Sequence, residues 1–231
     1  MTRTAATCWL SVCLGLWGCQ PDVPSEVPSS APPSEDLHAK LFEQANTAVN
    51  AGDLASALTH YQAALQVEPN NPFEYLAAAR IQERQADIKG AIATVRLGQQ
   101  VYAANLDLGV REARLMAILG STEPALSQLE AILAADSTHM DAGFAKVEVL
   151  MLAGQNSQAV DAATKIVALL PEEADVHLWM AKALAQNGKA EAAALEVQTG
   201  LELAGDCECT AEVRSSLTEL GQTLGLETNL K

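Results

Sequence analysis

Apolar side chains recur along this chain at helical spacing, and the helices they predict are short and evenly punctuated. Leu58, Tyr61 and Leu65 share one face of such a stretch, and Val160, Ile166, Val167 and Leu170 share a face of another. The stretches stop at Gly52, Ala86, Gly120, Gly154 and Gly188, at a constant interval of 34 residues. Five residues after each stop stands an alanine: Ala57, Ala91, Ala125, Ala159 and Ala193. Seven residues before each stop stands Ala45, Ala79, Ala113, Val147 or Ala181. Twelve residues beyond each alanine come Pro69, Ala103, Ser137, Pro171 and Gly205. Small side chains on both sides of a turn let two helices approach closely. A glycine between them can take the left-handed conformation that ends the first helix, and proline stops the second because it lacks a donor and clashes with the preceding turn. The pattern therefore predicts five helix–turn–helix units over residues 38–207. No such unit can bury its apolar face alone, so neighbours must stack. A last helix, capped by Thr210 and running to about Leu224, places Val213, Leu217, Leu220 and Leu224 on one side and closes the array.

A 34-residue period with small residues at positions 8, 20 and 27, glycine at 15 and proline at 32 resembles the tetratricopeptide repeat. Ala45, Gly52, Ala57, Tyr61, Ala64 and Pro69 carry the likeness in the first unit, and Ala181, Gly188, Ala193 and Gly200 in the fifth. The chain departs from it at position 4, where Gly109, Gly143 and His177 replace the usual large residue, and at Ile132, where a small one is usual. The resemblance implies an all-α fold, a right-handed α-solenoid of five helix–turn–helix units plus a C-terminal capping helix. It also implies a protein-binding role, with the first helix of each unit lining a concave groove.

Composition agrees: the chain is rich in alanine, the residue that costs least in a helix. Its net charge of −15, from 29 acids against 14 bases, opposes binding to nucleic acid or to anionic lipid. The N-terminus has the layout of an export signal. Arg3 supplies the positive charge, and Ala5 to Trp17 an apolar run too short to span a bilayer. Leu16-Trp17-Gly18-Cys19 resembles a bacterial lipobox, which implies cleavage before Cys19 and lipidation of its thiol; Trp17 departs from that pattern. Gln20 after the cysteine is similar to signals for the outer membrane, with the body facing the periplasm. Pro21, Pro24, Pro28, Pro32 and Pro33, spaced by serine and acids, then make an extended, solvated tether. The expected layout is a signal at 1–18, a tether at 19–35, repeats at 36–207, a capping helix at 208–226 and a tail at 227–231.

In the family, positions 2, 5, 9, 12 and 13 of each first helix face the groove. Position 5 reads Phe42, Leu76, Val110, Phe144 and Leu178; position 9 reads Asn46, Arg80, Arg114, Glu148 and Lys182. Arg84 adds a cation and Arg111 flanks the row. The candidate peptide groove therefore comprises Phe42, Asn46, Leu76, Arg80, Arg84, Val110, Arg114, Phe144, Leu178 and Lys182. Apolar positions would hold side chains and arginines would hold carboxylates. The alternative is that the cations pair along their own helices, Arg111 with Asp107 and Arg80 with Glu83, and that the apolar row packs between repeats. Phe42 stands where the chaperone-tail clamp of some family members has lysine. Cys207 and Cys209 are a candidate disulfide in an oxidising compartment, free thiols being the alternative. No metal-ligand spacing, cofactor fingerprint or nucleophile motif is present. The expected function is non-catalytic: an envelope scaffold or adaptor for a protein or peptide partner, attached to the membrane only through lipid. A self-associating homo-oligomeric module and a pilotin-like assembly factor are the alternatives.

Overall fold

The turns of the chain keep the sequence register through five units. The structure, a computed structural model, describes residues 33–67, 71–205 and 208–226. The first helices of the units are α1 (Pro33–Asn50), α3 (Pro72–Arg84), α5 (Leu106–Ile118), α7 (Met140–Leu152) and α9 (Ala174–Gln186). The second helices are α2 (Leu54–Val67), α4 (Ile88–Val101), α6 (Thr122–Ala135), α8 (Asn156–Leu169) and α10 (Ala190–Ala204), and α11 (Ala211–Thr223) closes the row. Each helix packs on the next in sequence. In addition α3, α5, α7 and α9 touch one another in succession, whereas among the described residues no comparable contact joins successive second helices. The first helices thus form the tighter, inner wall of an α-solenoid. The signal, Cys19, the tether to residue 32, Pro69, Cys207, the side chain of Cys209 and the tail lie outside the described residues. Helix α1 begins at Pro33, inside the stretch assigned to the tether; proline is tolerated at a first helical position, where its missing N–H has no partner to lose.

Every turn between paired helices uses the same lock. Gly52, Gly120, Gly154 and Gly188 have φ of 77°, 82°, 72° and 76°, and Ala86 has φ of 62°. In the second unit the N–H of Asp87 donates to the carbonyl of Gln82 at 2.8 Å and that of Ala86 to Glu83 at 2.9 Å, the paired bonds of a Schellman end. Ala86 is the one non-glycine at positive φ among the described residues, and a Cβ in that region costs about 1–2 kcal/mol. Ala86→Gly is expected to raise stability by about 0.5–1 kcal/mol, the strain relief exceeding the entropy that glycine adds to the unfolded chain. A higher urea midpoint at unchanged m-value checks it.

The alanines of the sequence register are the seam. Ala57, Ala91, Ala125, Ala159 and Ala193 are fully buried, as are Ala45, Ala79, Ala113, Val147 and Ala181. Positions 4 and 27 explain the departures from the family pattern. They read Leu41 with Ala64, Tyr75 with Gly98, Gly109 with Ile132, Gly143 with Ile166, and His177 with Gly200. One member is bulky and the other small in every unit, but the order inverts in the third and fourth. A Cβ on Gly98 would stand 2.8 Å from the Tyr75 ring, and one on Gly109 or Gly143 would stand 3.0 Å from Ile132 or Ile166. The same space is filled from opposite sides.

The last helix closes the core with Leu217, which is fully buried and lies where a Cβ on Gly200 would meet it at 2.9 Å. Thr210 occupies the N-cap position of α11 without capping it. Its hydroxyl instead donates to the carbonyl of Ala204 at 2.7 Å, tying the loop back to α10.

Candidate functional site

Two adjoining concavities run along the inner wall. One, of about 470 Å³, is bounded by Phe73, Leu76, Ala77 and Arg80 from α3, Asp107, Val110, Arg111 and Arg114 from α5, and Asp141 from α7. The other, of about 570 Å³, shares Arg114 and Asp141 and adds His139, Met140, Phe144, Asp175 and Trp179. The groove therefore passes over units two to five. A larger hollow, about 620 Å³, lies between α6 and α8 beside Gly143 of α7, and shares His139 and Met140 with the second concavity. The Lys146–Glu130 pair at 2.8 Å lies at its edge.

The groove cations are not paired as helix spacing suggested. Arg111 Nη1 meets Glu83 Oε2 at 3.1 Å, which links α5 to α3, and His139 Nε2 meets Asp107 at 3.3 Å. Neither Arg111 with Asp107 nor Arg80 with Glu83 forms a pair, because stacking of first helices brings the neighbouring unit's carboxylates closer than those on the same helix. Arg114 Nε lies 3.5 Å from Glu148 Oε2, too long for a good hydrogen bond. Arg80 is exposed and has no carboxylate within ion-pair distance among the described residues. Burial lowers the Arg111 guanidinium from its usual value, Glu83 opposes this, and Arg80 and Arg114 lower it further by repulsion. At the other edge, burial raises the Asp175 carboxyl, with Glu173, Glu212 and Asp141 adding repulsion and Lys182 opposing.

The remaining candidates fall into distinct places. Phe42 stacks on His38 and meets the Tyr61 ring edge-on at 5.5 Å, while Asn46 accepts a 2.7 Å bond from the Tyr61 hydroxyl. Leu76 is half-buried. Val110, Phe144 and Leu178 are only 4%, 7% and 5% exposed, so they form the floor and the core beneath it more than a ligand surface. Lys182 sits 4.6 Å above the Trp179 ring, which stacks on Phe144 at 5.7 Å. Arg84 is exposed at the end of α3 and bounds neither concavity. Sequence reasoning missed Phe73, 63% exposed at the groove mouth, and the aspartates at position 2. The 34-residue spacing of Asp107, Asp141 and Asp175 was the signal that could have found the latter.

The units are bolted together by buried carboxylates. Glu112 on α5, 7% exposed, accepts from Arg96 Nε at 2.6 Å and from Gln99 and Gln128, each at 3.1 Å. Burial pushes its carboxyl up, but the bonds from Arg96, Gln128 and Gln99 outweigh this and hold it below the usual carboxylate range. Glu74 on α3, 2% exposed, takes His38 of α1 at 3.1 Å. His177 bridges Glu196 at 2.7 Å and the carbonyl of Pro171 at 3.0 Å.

The fold is that of the tetratricopeptide-repeat proteins. A thermophilic TPR protein from Thermus thermophilus is similar over 79% of this chain and 98% of its own, at 17% identity and a TM-score of 0.63. MamA from Desulfovibrio magneticus RS-1 is similar over 74% of this chain and 98% of its own, at 18% identity and a TM-score of 0.56. A tetratricopeptide repeat protein from Parabacteroides merdae ATCC 43184 is similar over 81% and 74% respectively, at 22% identity and a TM-score of 0.55. No family model and no curated protein matches the chain.

Proposed function

We propose that this chain is a non-catalytic protein-binding scaffold of the bacterial cell envelope, anchored through lipidated Cys19 and seating a peptide or helix in its inner groove. The observation that carries the reading is the groove's arginine cluster. In a protein of net charge −15, Arg80, Arg111 and Arg114 converge on one concavity, and Arg80 is left without a carboxylate among the described residues. Such a cluster favours charge-assisted bonds to a partner's carboxylates. The lipobox-like stretch ending at Cys19 and the proline-rich segment after it support anchoring, since multiple acyl chains hold a protein stably on a membrane.

The test is crosslinking in the native envelope, comparing the wild type with Arg80→Glu plus Arg114→Glu and with Cys19→Ala. Partner yield is expected to fall at least about tenfold in the double variant, the equivalent of ~1.4 kcal/mol or more, with the helical circular dichroism unchanged. Cys19→Ala is expected to move the protein out of the membrane fraction. Unchanged partner yield with an intact fold rejects the groove, and unchanged fractionation rejects the anchor.

A further inference from the structure

The inner wall carries its charge in two stripes with an apolar floor between them. At position 2 of the first helices stand Asp107, Asp141 and Asp175. At position 9 stand Arg80, Arg114 and Lys182, interrupted in α7 by Glu148, which leans toward Arg114. Accepting the groove reading above, we propose that its occupant is an amphipathic α-helix with basic side chains along one flank, acidic side chains along the other and a narrow apolar face between.

The spacing selects a helix over a strand. The two stripes are seven residues apart on each first helix, about 10.5 Å along its axis, and an α-helix with side chains is ~10–12 Å across. Three bands also require three faces. Strand side chains alternate between two opposite sides. A strand lying in the groove can address both stripes or the floor, but not all three. A helix presents a stripe at i, i+3, i+4 and i+7 with flanks on either side.

The charges are arranged to favour such a partner. Arg80 and the Asp141 carboxylate form no ion pair among the described residues. Burial disfavours the charged form of Arg111, and Arg80 and Arg114 add repulsion; burial likewise disfavours the Asp175 carboxylate, with Glu173, Glu212 and Asp141 adding to it. Like charges line each stripe, and a helix of opposite flanks complements both at once. The helix dipole favours aspartate in a first turn, but it does not relieve the mutual repulsion of Asp141 and Asp175.

A displayed library of peptides about 20 residues long, ~30 Å as helices, selected against the full chain and sequenced, tests this. Enriched sequences are expected to place Lys and Arg on one helical flank and Asp and Glu on the other. Asp141→Lys with Asp175→Lys is expected to weaken a selected peptide at least about tenfold, ~1.4 kcal/mol. Changing that peptide's basic flank to glutamate is expected to restore most of the loss. Enriched peptides that depend on Arg80 and Arg114 but show no charge segregation, or that are extended and proline-rich, overturn the inference and leave the groove standing. No enrichment, or enrichment indifferent to every groove charge, overturns both.

Discussion

Gly109→Leu and Ile132→Ala are each expected to destabilise the third unit, and together to restore it nearly to wild type. Ile132 is 7% exposed and fills the place where a Gly109 side chain would begin, 3.0 Å from an added Cβ. Leucine at 109 alone must displace it, and overpacking of this kind costs about 1–3 kcal/mol. Alanine at 132 alone leaves a cavity, for which isoleucine-to-alanine losses run ~2–5 kcal/mol. The pair recreates the Leu41 and Ala64 arrangement of the first unit, where Ala64 is fully buried. It also removes a glycine from the interior of α5, worth roughly 0.5–1 kcal/mol. The double variant should therefore lie within ~1 kcal/mol of wild type, with a coupling energy of at least ~2 kcal/mol, as for pairs in direct contact. Urea titrations of all four proteins close the cycle. Simple addition of the single losses would falsify the idea that positions 4 and 27 share one space.

Much of the fold was legible in the sequence because the residues that set the phase are constrained one at a time. A helix end needs positive φ, and a helix–helix crossing needs a small side chain; each demand leaves its own mark at a fixed interval. The exchange between Gly109 and Ile132 was visible only as two irregularities. Complementary volume belongs to a pair in space, and the pair is separated by 23 residues and a turn. The ion pairs failed for a related reason. Helix spacing offers Asp107 to Arg111, but the stack sets Glu83 against Arg111 and gives Asp107 to His139. Interactions between units are set by how first helices nest, and one unit's sequence does not contain that. The groove's position followed from the family resemblance. Its floor did not, since apolar residues at position 5 serve both the core and the surface, and burial of Val110 at 4% shows how far the core claims them.

His38→Ala is expected to detach the first unit while leaving the others folded. His38 on α1 is 6% exposed and Glu74 on α3 is 2% exposed, their polar atoms 3.1 Å apart. Asn71 Nδ2 reaches Glu74 at 3.3 Å, a weaker contact that cannot replace the imidazole. Removing the histidine leaves a buried carboxylate with its main partner gone, a change that costs about 3–5 kcal/mol. The apolar seam between the first two units has little to set against this loss. Its fully or nearly buried members are Ala45, Tyr61, Ala78 and Ile81, two of them alanines. In a stacked array each unit depends on its neighbours alone, so the damage stays local. Amide exchange is expected to accelerate across α1 and α2 in His38→Ala. Protection in α5 through α10 should be unchanged, and His38→Gln, which keeps a donor toward Glu74, should recover part of the loss. Uniform acceleration along the whole chain would show instead that the array unfolds as one unit. An unaltered first unit would show that the histidine–glutamate contact does not hold it.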